Sequence, residues 1–185
     1  MKLIVAACWL IFMIYWALSS RSVKPTAERS GRLARASYLC LVGLGAVLLA
    51  IPWRVHPLDV PVTPTDAATA TVGVSLCLLG LAVAIWARHA IADNWSSDVT
   101  FKHGHELIER GPYHYVRHPI YSGMLLMFIG TALVIGRLHA WFGLLVMLTS
   151  FWVKLRQEEA LMMRHFPAAY EAYRRRVKAL VPFLF

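Results

Sequence analysis

The sequence predicts an all-α integral membrane protein with about five transmembrane helices. The last two helices form a hairpin, and a cytoplasmic amphipathic helix follows near the C-terminus. Hydrophobic residues make up 58% of the 185 residues and charged residues 16%. In soluble domains, apolar residues average about 45–50% and charged residues about 25%. The apolar residues lie in five runs bounded by charges or by Pro and Gly, a pattern typical of membrane helices rather than of a soluble core.

The five runs are Leu3–Leu18, Tyr38–Trp53, Ala70–Ile91, Ile120–Ile135 and Ala140–Val153. The last two are short against the ~20 residues of a typical spanning helix, so we expect them to extend beyond these limits. Only Gly136-Arg137-Leu138-His139 joins them, which predicts a tight hairpin. We expect a single membrane domain over 1–185, with helices one to three in 1–91.

The loops predict an orientation with the N-terminus outside and the C-terminus in the cytoplasm. Ala17-Leu18-Ser19 resembles a signal-peptide cleavage site, but a basic loop follows it, and basic loops stay in the cytoplasm. The first helix is therefore expected to be retained. The loop 54–69, with two aspartates and three prolines, fits the outer side. Residues 92–118 and the basic tail then share the cytoplasmic side.

Charge and cysteine content exclude several classes of protein. The net charge of +9 comes from basic residues between and after the apolar runs, which indicates membrane anchoring rather than nucleic-acid binding. No nucleic-acid motif is recognisable. Cys8, Cys40 and Cys77 lie inside apolar runs without a CxxC pair, so we expect neither a disulfide framework nor a metal site.

A dense polar segment, Arg110–Gly123, leads directly into the fourth run. Gly111-Pro112 indicates a sharp turn, and Pro119 suits the first turn of a helix. His118-Pro119 is thus predicted to open helix four, whose N-terminus attracts a carboxylate or phosphate. An interfacial Tyr or Arg is usually only an anchor, but the ordered cluster favours a small-molecule site.

A second polar group follows the fifth run. If that helix continues, Lys154 and Glu158 are four residues apart and share a face. Spacing alone leaves open whether Glu158 and Glu159 belong to a solvated ion-pair cluster or to a site. Tyr170 and Tyr173, with the basic residues after them, predict an amphipathic interfacial helix over Phe166–Arg176.

Together these segments resemble the isoprenylcysteine carboxyl methyltransferase family, whose wider superfamily includes phospholipid N-methyltransferases. The resemblance covers Trp86–Phe185, including Asn94-Trp95-Ser96. It rests on Gly111-Pro-Tyr-x-Tyr-Val-Arg-His-Pro-x-Tyr-x-Gly123, Glu158-Glu159, His165-Phe-x-x-x-Tyr170-x-x-Tyr173-x-x-x-Val177 and Pro182-Phe183. Helices one and two carry no motif. The family often has Arg at the position of Lys154, and usually Gly at that of Pro167.

The resemblance implies methyl transfer from S-adenosyl-L-methionine, with S-adenosyl-L-homocysteine as product, to a hydrophobic or lipid-linked acceptor at the cytoplasmic membrane face. Residues 92–185 would form the cofactor-binding, catalytic part. By motif position, the cofactor contacts are His105, Glu106, Leu107, Ile108, Tyr113, His118, Pro119, Ile120, Tyr121 and Glu158. Lys154 or Arg176 would orient a carboxylate acceptor, whereas an amine acceptor would need a base, for which Glu159 is the candidate.

Carboxyl O-methylation of an isoprenylcysteine is the function expected first, and N-methylation of a phospholipid amine is the alternative. Membrane sterol reductases carry a segment similar to Arg117-His-Pro-x-Tyr-x-Gly123, so NADPH-dependent reduction is a further alternative. A non-enzymatic membrane scaffold is the last. We expect no partner among nucleic acids or metals.

Overall fold

The computed structural model describes residues 1–20, 26–29, 32–50, 55–92, 95, 100–102 and 107–182. Over these ranges the helices are α1 Lys2–Ser19, α2 Arg32–Ala50, α3 Ala67–Ile91, α4 Pro119–Ile135, α5 Leu138–His165 and α6 Pro167–Arg176. A 3₁₀ turn, Gly111–His114, precedes α4. Two short strands, β1 Thr26–Arg29 and β2 Thr100–Lys102, pair antiparallel, and the sequence did not predict them.

The predicted helical membrane architecture is confirmed in its main feature. Within the described ranges, α1, α3 and α5 are long and apolar enough to cross a membrane. The apolar part of α2 and the whole of α4 are shorter. Helix α6, Pro167–Arg176, lies where an amphipathic helix over Phe166–Arg176 is expected. Its position at a membrane surface stays a prediction, as does the number of spans.

Helix α5 is much longer than the apolar run that predicted it. It runs without interruption over 28 residues, or about 42 Å at 1.5 Å per residue, against a hydrocarbon layer of about 30 Å. The expected continuation beyond Val153 is confirmed, so Lys154 and Glu158 do share a face. The polar end of α5 therefore projects past the apolar layer toward the start of α4.

Helices α3 and α4 pack along a seam of small residues. On α3 these residues repeat at alternating spacings of four and three: Gly73, Cys77, Gly80, Ala84 and Ala87, all of them buried. On α4 the facing glycines are Gly123 and Gly130. A Cβ atom at Gly123 would lie 2.6 Å from the carbonyl oxygen of Gly80. Such spacing is typical of helices whose backbones approach closely within a membrane.

The turn between α4 and α5 is as tight as the sequence predicts, but these two helices are not each other's main packing partners. Gly136 ends α4 in a left-handed conformation (φ 71°), and α5 begins at Leu138. Helix α4 packs mainly on α3, and α5 mainly on α2. Gly45 of α2 and Gly143 of α5 let the second pair approach. The bundle thus consists of two antiparallel pairs, and α1 packs on the first of them.

Alternate ends of the helices meet, as the predicted loop arrangement requires. The pairing of β1 with β2 joins the segment after α1 to the segment after α3. At the other end, Val60 and Leu58 in the loop before α3 accept hydrogen bonds from the N–H groups of Leu138 and His139. The segments assigned to one side of the membrane by charge therefore lie at one end of the bundle.

The glycine seam generates a direct prediction. Gly123→Ala is expected to destabilise the protein by about 1–3 kcal/mol, because the new methyl group overlaps backbone atoms of α3 rather than a flexible side chain. The measurement is thermal unfolding in detergent.

Gly43→Ala is the matched control, because a Cβ atom there meets nothing within 4 Å. That variant should be neutral or slightly stabilising, since Ala is the better helix former. Equal losses of stability in the two variants would contradict the role assigned to Gly123 in the packing of α3 on α4.

Candidate functional site

A cavity of about 360 Å³ lies between the two helix pairs at the end of the bundle where α5 projects. One part of its wall is apolar and comes from α1, α2, α4 and α5: Phe12, Trp16, Leu39, Val42, Met124, Met147 and Phe151. The other part is polar and includes Tyr113, His118, Tyr121, Lys154 and Glu158. A pocket of this size with a few convergent polar groups suits a small organic ligand with both charged and apolar parts.

Glu158 is the carboxylate at the polar end of the cavity. The phenol of Tyr121 donates a hydrogen bond to its Oε1 atom at 2.6 Å. Nδ1 of His118 lies 3.6 Å from its Oε2 atom. The rings of His118 and Tyr121 are stacked, with centroids 5.6 Å apart, and Tyr121 stacks in turn on Phe151. This column of rings holds Glu158 in place from the α4 side.

Glu159, the next residue, points away from the cavity and is 6% exposed. Arg117 donates to its Oε1 atom from Nε at 2.8 Å and from Nη2 at 2.5 Å. The same guanidinium also donates from Nη1 to the carbonyl of Val177, just past the end of α6. Arg117 therefore links α5, the end of α6 and the segment before α4.

His118 lies between the two carboxylates, since its Nε2 atom is 3.4 Å from Oε1 of Glu159. Burial of the imidazole lowers its pKa, but hydrogen bonds with Glu158 and Glu159 and their charges outweigh this effect. The net result is a pKa raised above the ordinary value of 6.5. The site therefore favours a positively charged imidazolium between the two acids.

The segment after α6 is fastened to the start of α4. The backbone N–H groups of Arg117 and His118 donate to the carbonyls of Lys178 (2.8 Å) and Ala179 (3.0 Å). Ser122 donates through its hydroxyl to the carbonyl of Leu180 at 2.5 Å. His118 caps α4 and Pro119 is its first residue, which confirms the predicted helix start. The tail thus holds the backbone of the Arg117-His118 pair.

Two tyrosines complete the wall beside this cluster. The phenol of Tyr173 on α6 donates to the carbonyl of Tyr113 at 2.6 Å, which ties the 3₁₀ turn to α6. Tyr113 itself is 7% exposed. Burial, and then the charge of Glu158, raise the pKa of its phenol, so the ring stays neutral. It therefore presents an aromatic surface to the cavity.

Lys154 adds a further cationic side chain to the cavity wall, which Arg117 and His118 also line. Its Nζ atom lies 5.3 Å from the centroid of the Tyr38 ring and 5.6 Å from that of Tyr121. Both distances fall in the range of cation–π attraction. An ammonium group held between two rings, in a largely apolar cavity, is suited to attract an anionic group of a ligand.

The structure brings together most of the residues expected to bind the cofactor. Those that line the cavity are Leu107, Ile108, Tyr113, His118, Ile120, Tyr121 and Glu158. Pro119 is buried as the first residue of α4. His105 and Glu106 lie outside the described residues.

The three expected catalytic residues occupy different surroundings. Lys154 lines the cavity, and Glu159 lies behind its wall in the pair with Arg117. The side chain of Arg176 is 64% exposed and pairs with Glu109 at 2.9 Å.

Several residues of the site had no predicted role. Three of them, Arg117, Tyr170 and Tyr173, belong to the motifs that carry the family resemblance. The position of Arg117 directly beside His118 was a signal that could have predicted its part in the site. Trp16 and Tyr38 also line the cavity, but they come from α1 and α2, which carry no motif. Only tertiary packing brings these two side chains to the site.

Comparisons with known proteins agree with this arrangement. The family model described as phospholipid methyltransferase matches residues 68–169. Methanethiol S-methyltransferase 2 of Bradyrhizobium diazoefficiens is 34% identical over 163 residues, which are 82% of this chain and 60% of that protein. The protein-S-isoprenylcysteine O-methyltransferase of Schizosaccharomyces pombe is 30% identical over 97 residues, 52% of this chain and 39% of that protein.

A solved structure shares the fold. The eukaryotic intramembrane Ras methyltransferase ICMT (isoprenylcysteine carboxyl methyltransferase) matches with a TM-score of 0.55 at 23% identity, over 82% of this chain and 52% of that one. The chain thus spans 60% or less of the length of each of these proteins. The resemblance inferred from the motifs is confirmed. With a match over 68–169, which includes α3, α4, α5 and the acidic pair, the chain belongs to the phospholipid methyltransferase family.

Proposed function

We propose that this protein is an S-adenosylmethionine-dependent membrane methyltransferase acting on a hydrophobic or lipid-linked acceptor at the cytoplasmic face. The observation that carries the proposal is Glu158. It is a carboxylate held by Tyr121 and His118 at the polar end of a largely apolar cavity. Membership of a methyltransferase family supports the same reaction.

The residues present fit the methyl donor. Glu158 would balance its cationic groups, and the imidazolium of His118 with the N-terminus of α4 would attract its carboxylate. Tyr113, Leu107 and Ile108 provide the aromatic and apolar surface for its adenine. When bound, the donor supplies an electrophilic methyl group. The task of the chain is then to align the two reactants and exclude water.

The surroundings of Lys154 favour an anionic acceptor. Its ammonium group lies in the cavity wall over Tyr38 and Tyr121, where it would orient a carboxylate such as that of an isoprenylcysteine. An amine acceptor requires a base, and the candidate, Glu159, is bound by Arg117 and does not itself line the cavity. Carboxyl O-methylation is therefore our first proposal, ahead of phospholipid N-methylation.

A thiolate is the second anionic acceptor that Lys154 would serve. The Bradyrhizobium relative is named for methyl transfer to the sulfur of methanethiol, and its match extends over 82% of this chain. Sulfur therefore joins the acceptor atoms to be tested.

The proposed arrangement in the membrane has five spans, with the N-terminus outside and the C-terminus in the cytoplasm. Residues 1–185 form one membrane domain, with the catalytic part in 92–185. The meeting of alternate helix ends supports this arrangement, and so does the basic character of the end that holds the site.

Removal of the charge of Glu158 should weaken donor binding. We expect Glu158→Gln to raise the Kd for S-adenosylmethionine by about 10–100-fold, since a buried charge-assisted contact contributes about 1.5–3 kcal/mol. Calorimetric titration of purified protein measures the change.

The matched control is Glu171→Gln, which removes an acid that pairs with Arg174 and Arg175 on the exposed face of α6. Its Kd should equal that of the wild type. Equal affinity in Glu158→Gln would rule out the assigned role.

Substitution of Lys154 should act on the acceptor rather than on the donor. Lys154→Met is expected to lower kcat/KM for an anionic acceptor by about tenfold or more, with a Kd for the donor within about twofold of wild type. Lys154→Arg keeps the charge and should recover most of the activity.

The acceptor itself is identified by transfer of a labelled methyl group to a prenylated cysteine analogue, phosphatidylethanolamine vesicles and methanethiol. A base-labile product indicates an ester. Label in phosphatidylethanolamine alone would contradict the preference for an anionic acceptor.

The charge state of His118 should make stability depend on pH. Because its pKa is raised in the folded protein, the contribution to stability is complete below the ordinary value of 6.5 and is lost as the pH rises through the raised value. The melting temperature of the wild type should fall over this interval by about 2–4 °C for each kcal/mol lost.

Thermal unfolding at a series of pH values tests this expectation, with His118→Gln as the comparison. The variant should melt at a lower temperature at pH 6 and show a flatter dependence on pH. A slope as steep in His118→Gln as in the wild type would assign the effect to other groups.

A further inference from the structure

Arg88 is a buried cation near the cytoplasmic end of a spanning helix. It lies in the last turn of α3 and is 3% exposed. An arginine at the end of a membrane helix usually extends its guanidinium toward water. Here the side chain turns into the bundle instead, so its position needs a cause inside the protein.

The guanidinium of Arg88 binds the ends of two helices at once. Nη1 donates to the carbonyl of Ala92 at 2.6 Å, and Nη2 donates to that of Ser19 at 2.6 Å. These carbonyls lie at the C-terminal ends of α3 and α1, where unpaired carbonyls and the helix dipole attract a cation. A planar guanidinium reaches both acceptors, whereas a lysine ammonium is a single point charge.

The backbone at the end of α3 is itself unusual. Ala92 has a φ of 48°, a conformation that residues other than glycine seldom adopt. The hydrogen bond from Arg88 fixes the carbonyl of this residue. The N–H of Trp95 donates to the same carbonyl at 3.4 Å, so Arg88 and Trp95 share one acceptor at the end of α3.

The same guanidinium also packs on an aromatic ring. The Cζ atom of Arg88 lies 4.7 Å from the centroid of the Trp95 ring, within the range of cation–π attraction. Trp95 meets Trp16 of α1 edge to face, with centroids 6.1 Å apart. Both indoles line the cavity, and we call them the tryptophan wall.

We infer that Arg88 is a positioning residue for the apolar acceptor, because it holds the tryptophan wall between the ends of α1 and α3. The inference rests on the proposed function. The charged groups of the donor are assigned to Glu158 and His118, and its adenine to Tyr113 and its apolar neighbours. The tryptophan wall is assigned to the apolar part of the acceptor. Loss of Arg88 should therefore weaken acceptor binding and leave donor binding intact.

The test separates KM from kcat and from donor affinity in Arg88→Lys and Trp95→Leu. Both variants should raise the KM for a prenylated cysteine analogue by about tenfold, with kcat and the Kd for S-adenosylmethionine within about twofold of wild type. Trp95→Phe keeps an aromatic face, and its KM should therefore stay close to that of the wild type.

Arg137→Lys is the matched control. Arg137 likewise donates to a backbone carbonyl, that of Asp59 at 2.7 Å, but it lies at the opposite end of the bundle. Its KM should equal that of the wild type. An unchanged KM in Trp95→Leu, or a donor Kd that rises in parallel with the KM, would overturn the inference. If Arg88→Lys fails to fold, the two Trp95 variants decide the question.

A second measurement does not depend on turnover. Hydrogen exchange in Arg88→Lys should increase in peptides that cover 16–20 and 88–95 and stay at the wild-type level in 118–125 and 155–162. If the wild type transfers no methyl group, the proposed function fails. Direct binding of the labelled prenylated cysteine analogue to wild type and Arg88→Lys then tests the tryptophan wall alone, and equal binding would overturn it.

Discussion

The neutralisation of two adjacent carboxylates where α5 leaves the apolar layer is the constraint on which the site depends. Glu158 and Glu159 follow one another on α5, with side chains 25% and 8% exposed, and a carboxylate withdrawn from water is costly unless it is paired. Arg117 and His118, directly before α4, meet this requirement. Because Arg117 and His118 directly precede α4 and the two acids lie on α5, the start of α4 and the polar end of α5 must lie side by side. The cavity is formed where they meet.

The same contacts explain why the tail belongs to the site. The N–H groups of Arg117 and His118 are hydrogen-bonded to Lys178 and Ala179, and the guanidinium of Arg117 binds the carbonyl of Val177. Residues after α6 thereby fix the backbone that presents His118 to Glu158. Tyr173 adds the link from α6 to Tyr113. The segment before α4 and the segment after α6 are therefore held together as one unit.

Close helix packing has a complementary role. The glycines of α3 and α4 bring these backbones together, and α2 packs on α5 through a second pair of glycines. Since each pair is compact within itself, the space for a ligand remains between the pairs. Large side chains, such as Phe12, Trp16 and Phe151, line that space. The cavity thus combines an apolar wall from the membrane helices with a polar end formed by the start of α4, the residues just before it and the last turns of α5.

Much of this could be predicted because the physical signals are local. Apolar runs reveal the helices, and Pro119 after His118 marks the start of α4. The motif order identified the family, and most of the residues it assigned to the donor line the cavity. The two-stranded sheet had no such signal. Its strands are only four and three residues long, and they are too short to show the alternation of polar and apolar residues that predicts a strand. The apolar run also understated the length of α5. The last turns of this helix are polar, and a helix can continue beyond the apolar layer of the membrane.

The sequence by itself determined the helical membrane architecture, the family and the residues at the polar end of the cavity, because each depends on residues close together in the chain. Tertiary structure alone decided which helices pair, that Glu159 is bound by Arg117 behind the wall, and that Trp16 and Tyr38 line the cavity. It also turned Arg88 inward to the ends of α1 and α3. These results depend on contacts between residues far apart in the chain, whose geometry is set by close packing and by the pairing of buried charges.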